Sequence, residues 1–360
     1  MQTSPRIPVT IVTGFLGSGK TTLLNRVLSE AHGKRIAIIE NEFGEVSIDD
    51  ALLVDANQTV FKMSNGCLCC TVNGDLVATL LELSKRSDEF DYVIIETTGV
   101  ANPAPVVQTF MLNEDIADAF VLDAVVATVD AKHVLLHLAS KECKEQIALA
   151  DIILLNKLDL VDASEVELVE QKLGALNTLA VLHKTERSNV AFAQILDQGL
   201  FAGAMPTKGE SDKAHAHDHD DHEHCEHDHG DCDHDHDAHD HGGEACDHDH
   251  HDGGHLHAHH HDEDVVSVGC EPPGELSRER FNAWFGPLIR TQGDRIYRCK
   301  GVLSVANDSK KVVLQAVHSV VEVTSGGDWA QEKRLSRIVF IGKDLNADEI
   351  VAGFKSCLVV

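Results

Sequence analysis

The feature that most constrains this chain is an eight-residue run near its start, Gly14-Phe15-Leu16-Gly17-Ser18-Gly19-Lys20-Thr21, which fits GxxxxGK[ST]. It lies between a β-branched segment, Ile7–Thr13, and a stretch of helical spacing, Lys20–His32. Glycines this close together suit neither a strand nor a helix interior, since glycine destabilises both. They suit a sharp turn from strand to helix, which commits the chain to strands covered by helices. Glycines also let successive backbone N–H groups turn inward, and the helix start adds its positive end, so the turn can cradle phosphate oxygens. Gly14, Gly17, Ser18, Gly19, Lys20, Thr21 and Thr22 are the expected lining. Lys20 would reach the β- and γ-phosphates, and Thr21 would offer its hydroxyl to Mg²⁺.

The first two hundred residues continue that layout. Strands are expected at Ile7–Thr13, Arg35–Glu40, Asp91–Glu96, Phe120–Val129, Ile152–Asn156 and Thr178–His183. Helices are expected at Lys20–His32, Gly74–Arg86, Pro103–Met111, Lys141–Ala150 and Ala163–Leu173. Several strands are apolar almost throughout, as strands of a parallel sheet covered on both faces should be. The fold class is therefore α/β, with a mostly parallel sheet in residues 1–206. From Val265 a smaller α+β domain is expected, 265–360, with helices at Glu275–Thr291 and Ala347–Leu358 and strands at Ile296–Val305, Lys311–Val323 and Arg337–Ile341.

Between them, residues 207–264 hold 19 of the chain's 24 His, and 20 Asp and Glu against two Lys. With almost no large apolar side chain, such a segment cannot bury enough surface to offset its ordering entropy, so it is expected to be a disordered linker. Imidazoles, carboxylates and Cys225, Cys232 and Cys246 would bind borderline ions there, more strongly as pH rises and His deprotonates. The segment reads as one that collects or buffers metal. It also carries most of the chain's net charge of −29, which argues against nucleic acid or a membrane as a partner. No run approaches the length of a membrane-spanning helix, and Met1–Pro8 lacks the pattern of a secretory signal. The expected compartment is reducing and cytoplasmic, with the ten Cys read as metal ligands or core thiols.

Two further elements bear on the nucleotide. Tyr92-Val93-Ile94-Ile95-Glu96-Thr97-Thr98-Gly99 is a hydrophobic strand ending in a carboxylate, with a glycine three residues later. Glu96 there can hold the Mg²⁺ hydration shell, and Gly99 can approach the γ-phosphate and move with its presence. Asn156-Lys157-Leu158-Asp159 follows the apolar run Ile152–Leu155. A carboxylate at Asp159 accepts from guanine N1–H and N2–H₂, which adenine does not offer, so GTP is favoured over ATP. Asp159 thereby disfavours a kinase or ATPase.

Cys67-Leu68-Cys69-Cys70 places three thiols within four residues, after Gly66. This is not the paired spacing of a zinc finger; it suits a soft ion held by two or three thiolates and a ligand from elsewhere. Glu40-Asn41-Glu42-Phe43-Gly44-Glu45 puts carboxylates at the end of the second strand, in the position of a nucleotide-sensing switch.

With these motifs in this order, the chain resembles the CobW/YjiA family of P-loop GTPases. The match extends through Val125–Ala131 (VVATVDA) to Tyr297-Arg298-Cys299-Lys300-Gly301 and Arg337–Gly342, and the run Gly44–Asp50 is similar to the YjiA branch. The resemblance implies a GTP-dependent metallochaperone for Zn²⁺, or Co²⁺ in some branches, serving a client metalloprotein. It implies that Cys67, Cys69 and Cys70 hold the transferable metal, with Glu40 and Glu45 as additions. Lys20 and Thr21 would serve phosphate and Mg²⁺, Glu96 the Mg²⁺ shell, and Asn156, Lys157 and Asp159 the nucleotide. Met1–Pro8 lacks the Cys-Pro docking motif of members that serve methionine aminopeptidase, so that client is not expected.

The expected mechanism couples the two sites. GTP and Mg²⁺ would order the loops that carry Glu40–Glu45 and Cys67–Cys70, hydrolysis would loosen them, and a homodimer dependent on nucleotide or metal is a further expectation. Turnover should be slow, for want of an evident base or arginine finger in cis. Two rival readings are a zinc buffer working through the His-rich tract and a cobalt chaperone for cobalamin synthesis.

Overall fold

The computed structural model describes residues 6–30, 33–41, 59–63, 72–201, 265–329 and 332–359. The expected linker 207–264, the Cys67–Cys70 cluster and Glu45 lie outside the described residues. The elements of the first part are β1 (Ile7–Thr13), α1 (Lys20–Ser29), β2 (Ile36–Asn41), β3 (Thr59–Met63), α2 (Val72–Ser84), β4 (Tyr92–Glu96), α3 (Ala104–Leu112), α4 (Glu114–Ala119), β5 (Phe120–Asp130), α5 (Val134–His137), α6 (Lys141–Leu149), β6 (Ile152–Asn156), α7 (Ala163–Leu176) and β7 (Val181–Lys184).

Seven strands form one sheet in the order β3-β2-β4-β1-β5-β6-β7. Every neighbouring pair in it is parallel. Alternate residues of each strand serve opposite faces. Ala37 and Ile39 of β2 pack with Leu76, Leu80, Val107 and Ile116 of α2, α3 and α4. Ile36 and Ile38 pack with Leu23, Leu24 and Val27 of α1. Burial on both faces explains why these strands read as continuous apolar runs. Because all seven run the same way, their C-terminal ends share one edge, and Thr13, Asn41, Met63, Glu96, Asp130, Asn156 and Lys184 terminate there. In such sheets ligands bind at that edge, where strand order reverses.

The second part contains β8 (Val265–Cys270), α8 (Arg278–Gln292), β9 (Ile296–Leu303), β10 (Lys310–Val317), β11 (Val320–Asp328), β12 (Arg337–Lys343) and α9 (Ala347–Ser356). Its five strands pair antiparallel in the order β11-β10-β9-β12-β8. Ile338 and Phe340 of β12 face Phe281, Phe285 and Phe354 of α8 and α9. Val339 and Ile341, one residue out of phase, join Ile147 of α6 and Val169 and Leu173 of α7. The second sheet is thus covered by its own helices on one face and by the first part on the other.

Several sequence expectations change. The single strand expected at Lys311–Val323 is a hairpin, with β10 and β11 joined at His318-Ser319 and His318 at φ 52°. A His-Ser turn lacks the Asn-Gly signature of a tight hairpin, so the apolar alternation runs on through it. The strands β3 and β8 and the short helices α4 and α5 fall where no such range was expected. The strand expected at Thr178–His183 begins only at Val181, because Asn177 accepts from the Leu179 and Ala180 amides and holds Thr178–Ala180 in a turn.

Candidate functional site

The glycine-rich turn sits on the shared edge, between β1 and α1. Gly14, Gly17 and Gly19 have φ of 142°, 72° and 116°, a region that favours glycine. Space imposes the same choice at two of them. A Cβ at Gly14 would collide with the Thr128 carbonyl, and one at Gly19 with the Asn156 amide. Ser18 is fixed by its hydroxyl against Thr128 Oγ1 at 2.6 Å and by its N–H to the Phe15 carbonyl. Lys20 is buried and folds over the turn, donating from Nζ to the Gly14 carbonyl at 2.8 Å and the Phe15 carbonyl at 3.4 Å. Burial lowers its pKa, against the opposing pull of the Glu96 carboxylate. Thr21 and Thr22 are exposed on the first turn of α1.

Glu96 ends β4, the strand beside β1, and pairs in register with Val12 on one side and Glu40 on the other. Thr97 follows it and donates to Thr13 Oγ1 at 2.9 Å. The Thr98 hydroxyl is buried and has no partner among the described residues. Gly99 packs on the glycine-rich turn: a Cβ there would lie 2.9 Å from Leu16 Cα. Thr21, Glu96 and the Thr98 hydroxyl are hard oxygen donors, the kind Mg²⁺ takes.

Asn156 ends β6 and spends its whole side chain on the protein. Its Nδ2 donates to the Ser18 carbonyl at 3.0 Å and to Ser188 Oγ at 3.1 Å. Its Oδ1 accepts from the Ser188 N–H at 2.8 Å and from the Thr185 hydroxyl at 3.2 Å. Four bonds fill the capacity of an amide, so Asn156 holds the loops together instead of presenting itself at the surface. Lys157 adopts a left-handed conformation, φ 65°, and its Nζ reaches Asp130 Oδ2 at 2.8 Å. Burial alone would raise the Asp130 carboxyl, but bonds from Lys157 and His133 outweigh it and hold it below its ordinary value. Asp159 is exposed beyond this knot.

The structure thus brings together Gly14, Ser18, Gly19, Lys20, Glu96, Gly99 and Asn156, with Thr21 and Asp159 on the open side. Glu40 sits at the same edge, paired with Glu96 and with Lys62 of β3. Among the described residues no group of three His, Cys, Asp or Glu could hold a metal, and the cysteine cluster is not among them. Sequence reasoning missed Thr128, Asp130, Thr185 and Ser188. Thr128 and Asp130 carried a signal, as polar residues that stand with Asp123 in the otherwise apolar β5. Ser188, fully buried at φ 53°, had none.

A parallel sheet whose first strand feeds a GxxxxGKT turn, with an acid ending the adjacent strand and an NKxD loop two strands away, defines a P-loop nucleotide-binding protein. Residues 8–184 match the family model "CobW/HypB/UreG, nucleotide-binding domain", and residues 265–358 match "Cobalamin synthesis protein cobW C-terminal domain". The chain belongs to this CobW family. It is 30% identical to "Zinc chaperone YjiA" of Escherichia coli, over 97% of this chain and 98% of that protein. It is 31% identical to "Zinc chaperone CobW" of a Sinorhizobium species, over 94% and 93%. Among solved structures, "Zn(II)-bound YjiA GTPase from E. coli" superposes with a TM-score of 0.70 at 27% identity, covering 99% of this chain and all of that one.

Proposed function

We propose that this chain is a GTP-hydrolysing zinc metallochaperone, in which GTP binding and hydrolysis are coupled to capture and transfer of the ion. It is a GTPase. Zinc is the cargo read from the names of its relatives and from the chemistry of thiolates. Cys67, Cys69 and Cys70 are our candidates for its ligands, with Glu40 and Glu45 as additions. The observation that carries this reading is the register of one edge: Glu96 of β4 pairs with Glu40 of β2, which pairs with Lys62 of β3, and β3 ends at Met63. Cys67 follows four residues later, a length of chain that spans at most about 14 Å.

The residues divide the work as follows. Backbone N–H groups of Gly14–Lys20 and the start of α1 bind the phosphates, and Lys20 exchanges the Gly14 and Phe15 carbonyls for phosphate oxygens. Thr21 and Glu96 would hold Mg²⁺, which supplies charge neutralisation at the β- and γ-phosphates. Gly99 follows the γ-phosphate, and Asp159 selects guanine. Loss of the γ-phosphate releases the loops after β2, β3 and β4, and the metal ligands with them, to a client metalloprotein. The domain division 1–206, 207–264 and 265–360 assigns the nucleotide and CxCC chemistry to residues 1–206 and metal collection to residues 207–264.

The test is GTP hydrolysis by the full chain, with ATP as competitor and zinc present or chelated. The proposal expects GTP turnover that ATP does not inhibit and that Cys69→Ala makes insensitive to zinc. Turnover with equal sensitivity to zinc in that variant would contradict it.

A further inference from the structure

Gln146, on α6, lies outside every motif considered above, yet it touches the loop that follows Glu96. Its side chain is 1% exposed, and Nε2 donates to the Gly99 carbonyl at 3.2 Å and the Ala101 carbonyl at 2.9 Å. These bonds cross more than forty residues of sequence, so they do not merely close a local turn. The amide is assigned by its neighbours: both are carbonyls, which only accept, so the nitrogen must face them. Its Oε1 is then buried with no partner among the described residues. An apolar side chain of the same shape would leave no acceptor bare, so packing alone gives no reason for glutamine here.

The helix behind it is anchored. Asn177 Nδ2 donates to the Ile147, Ala148 and Ala150 carbonyls, and Arg298 of β9 donates to the Leu149 carbonyl at the helix end. Arg298 is paired with Asp151, as is Lys300, and all three are buried. Gln146 is therefore a donor on a helix held both by Asn177 of the first part and by Arg298 of the second sheet. The segment it grips is the one that packs on the glycine-rich turn through Gly99 and Leu16.

We propose that Gln146 is a positioning residue for the nucleotide-sensing loop. By clamping Gly99 and Ala101 to α6 it sets the loop where a γ-phosphate engages it, and so makes the protein distinguish GTP from GDP. This rests on the reading of Gly99 above. The contact is with backbone carbonyls, so it constrains the loop's path whatever side chains the loop carries.

The experiment uses the full chain and the variant Gln146→Met, which keeps length and loses both donors. Affinities for GDP and for a non-hydrolysable GTP analogue are measured with Mg²⁺, together with kcat for GTP and amide exchange across residues 97–101. The expected result is GDP affinity within about twofold of wild type, analogue affinity and kcat each lower by about tenfold or more, and faster exchange confined to 97–101. Should that variant fail to fold, Gln146→Leu also removes the donors without burying a charge, and the same split is expected. Equal losses for GDP and analogue, or no change in either, would overturn the proposal. A wild-type protein that does not distinguish GDP from the analogue would instead overturn the reading of Gly99.

Discussion

Removing the side chain of Asn156 tests how the two nucleotide loops are joined. Asn156→Ala deletes four hydrogen bonds, to Ser18, to Thr185 and twice to Ser188. Each is worth about 1 kcal/mol net, and the Ser188 N–H, on a residue with no exposed surface, is left without its acceptor. The expected loss is about 3–5 kcal/mol, set against about 5–15 kcal/mol for a typical native domain. The variant should therefore fold, with a clearly lower urea midpoint. Its GDP affinity should fall by about tenfold or more, because the Ser18 carbonyl loses the anchor that orients the turn. Asn156→Asp separates the two effects. It keeps both acceptor bonds but sets a negative oxygen against the Ser18 carbonyl beside the phosphate cradle, so GDP affinity should fall further. Urea denaturation and fluorescent-GDP titration of both variants measure these quantities. A loss below about 1 kcal/mol with unchanged GDP affinity would refute the assignment of Asn156 as the tie between the loops.

Asp159→Asn replaces an acceptor of two guanine donors with an amide, so competition assays should show GTP affinity falling and xanthosine triphosphate, which carries a carbonyl at that position, gaining. Hydrogen bonds from Arg35 hold Asp91 at about 2, below its ordinary value near 3.8. A depressed acid stabilises the fold above its unfolded pKa and loses that contribution as pH falls, so Asp91→Asn should flatten the stability profile between about pH 4 and 2. Cys143, Cys270, Cys299 and Cys357 are all buried, and burial pushes the Cys143 thiol up to about 12. With the other six cysteines changed to Ser, the folded protein should take up no thiol reagent, and all four should react after unfolding.

Much of the first sheet was legible because a parallel strand covered on both faces writes itself as a run of apolar residues. Ile152–Asn156 was read to the residue, and Asp91–Glu96 to within one, at β4 (Tyr92–Glu96). The second sheet was harder. Its strands serve helices on one face and the first part on the other, and at His318-Ser319 no Gly, Asn, Asp or Pro marks where β10 ends and β11 begins. The same contrast holds at the site. Glycines with positive φ and a lysine after them are visible as letters, because the chemistry demands those residue types. The roles of Asn156 and Gln146 are not, because each depends on partners distant in sequence: Ser18 lies 138 positions from Asn156, and Gly99 lies 47 from Gln146. Only the folded chain brings them together.

The measurement that bears most directly on the coupling of nucleotide to metal is zinc affinity under Mg²⁺, by competition with a chromophoric chelator. It should be made on protein lacking 207–264, with GDP and then with a non-hydrolysable GTP analogue. By linkage, if the analogue tightens zinc then zinc must tighten the analogue by the same factor. Zinc should bind more tightly with the analogue, an effect abolished by Cys69→Ala; equal affinities in the two nucleotide states would rule out coupling between the nucleotide and the metal.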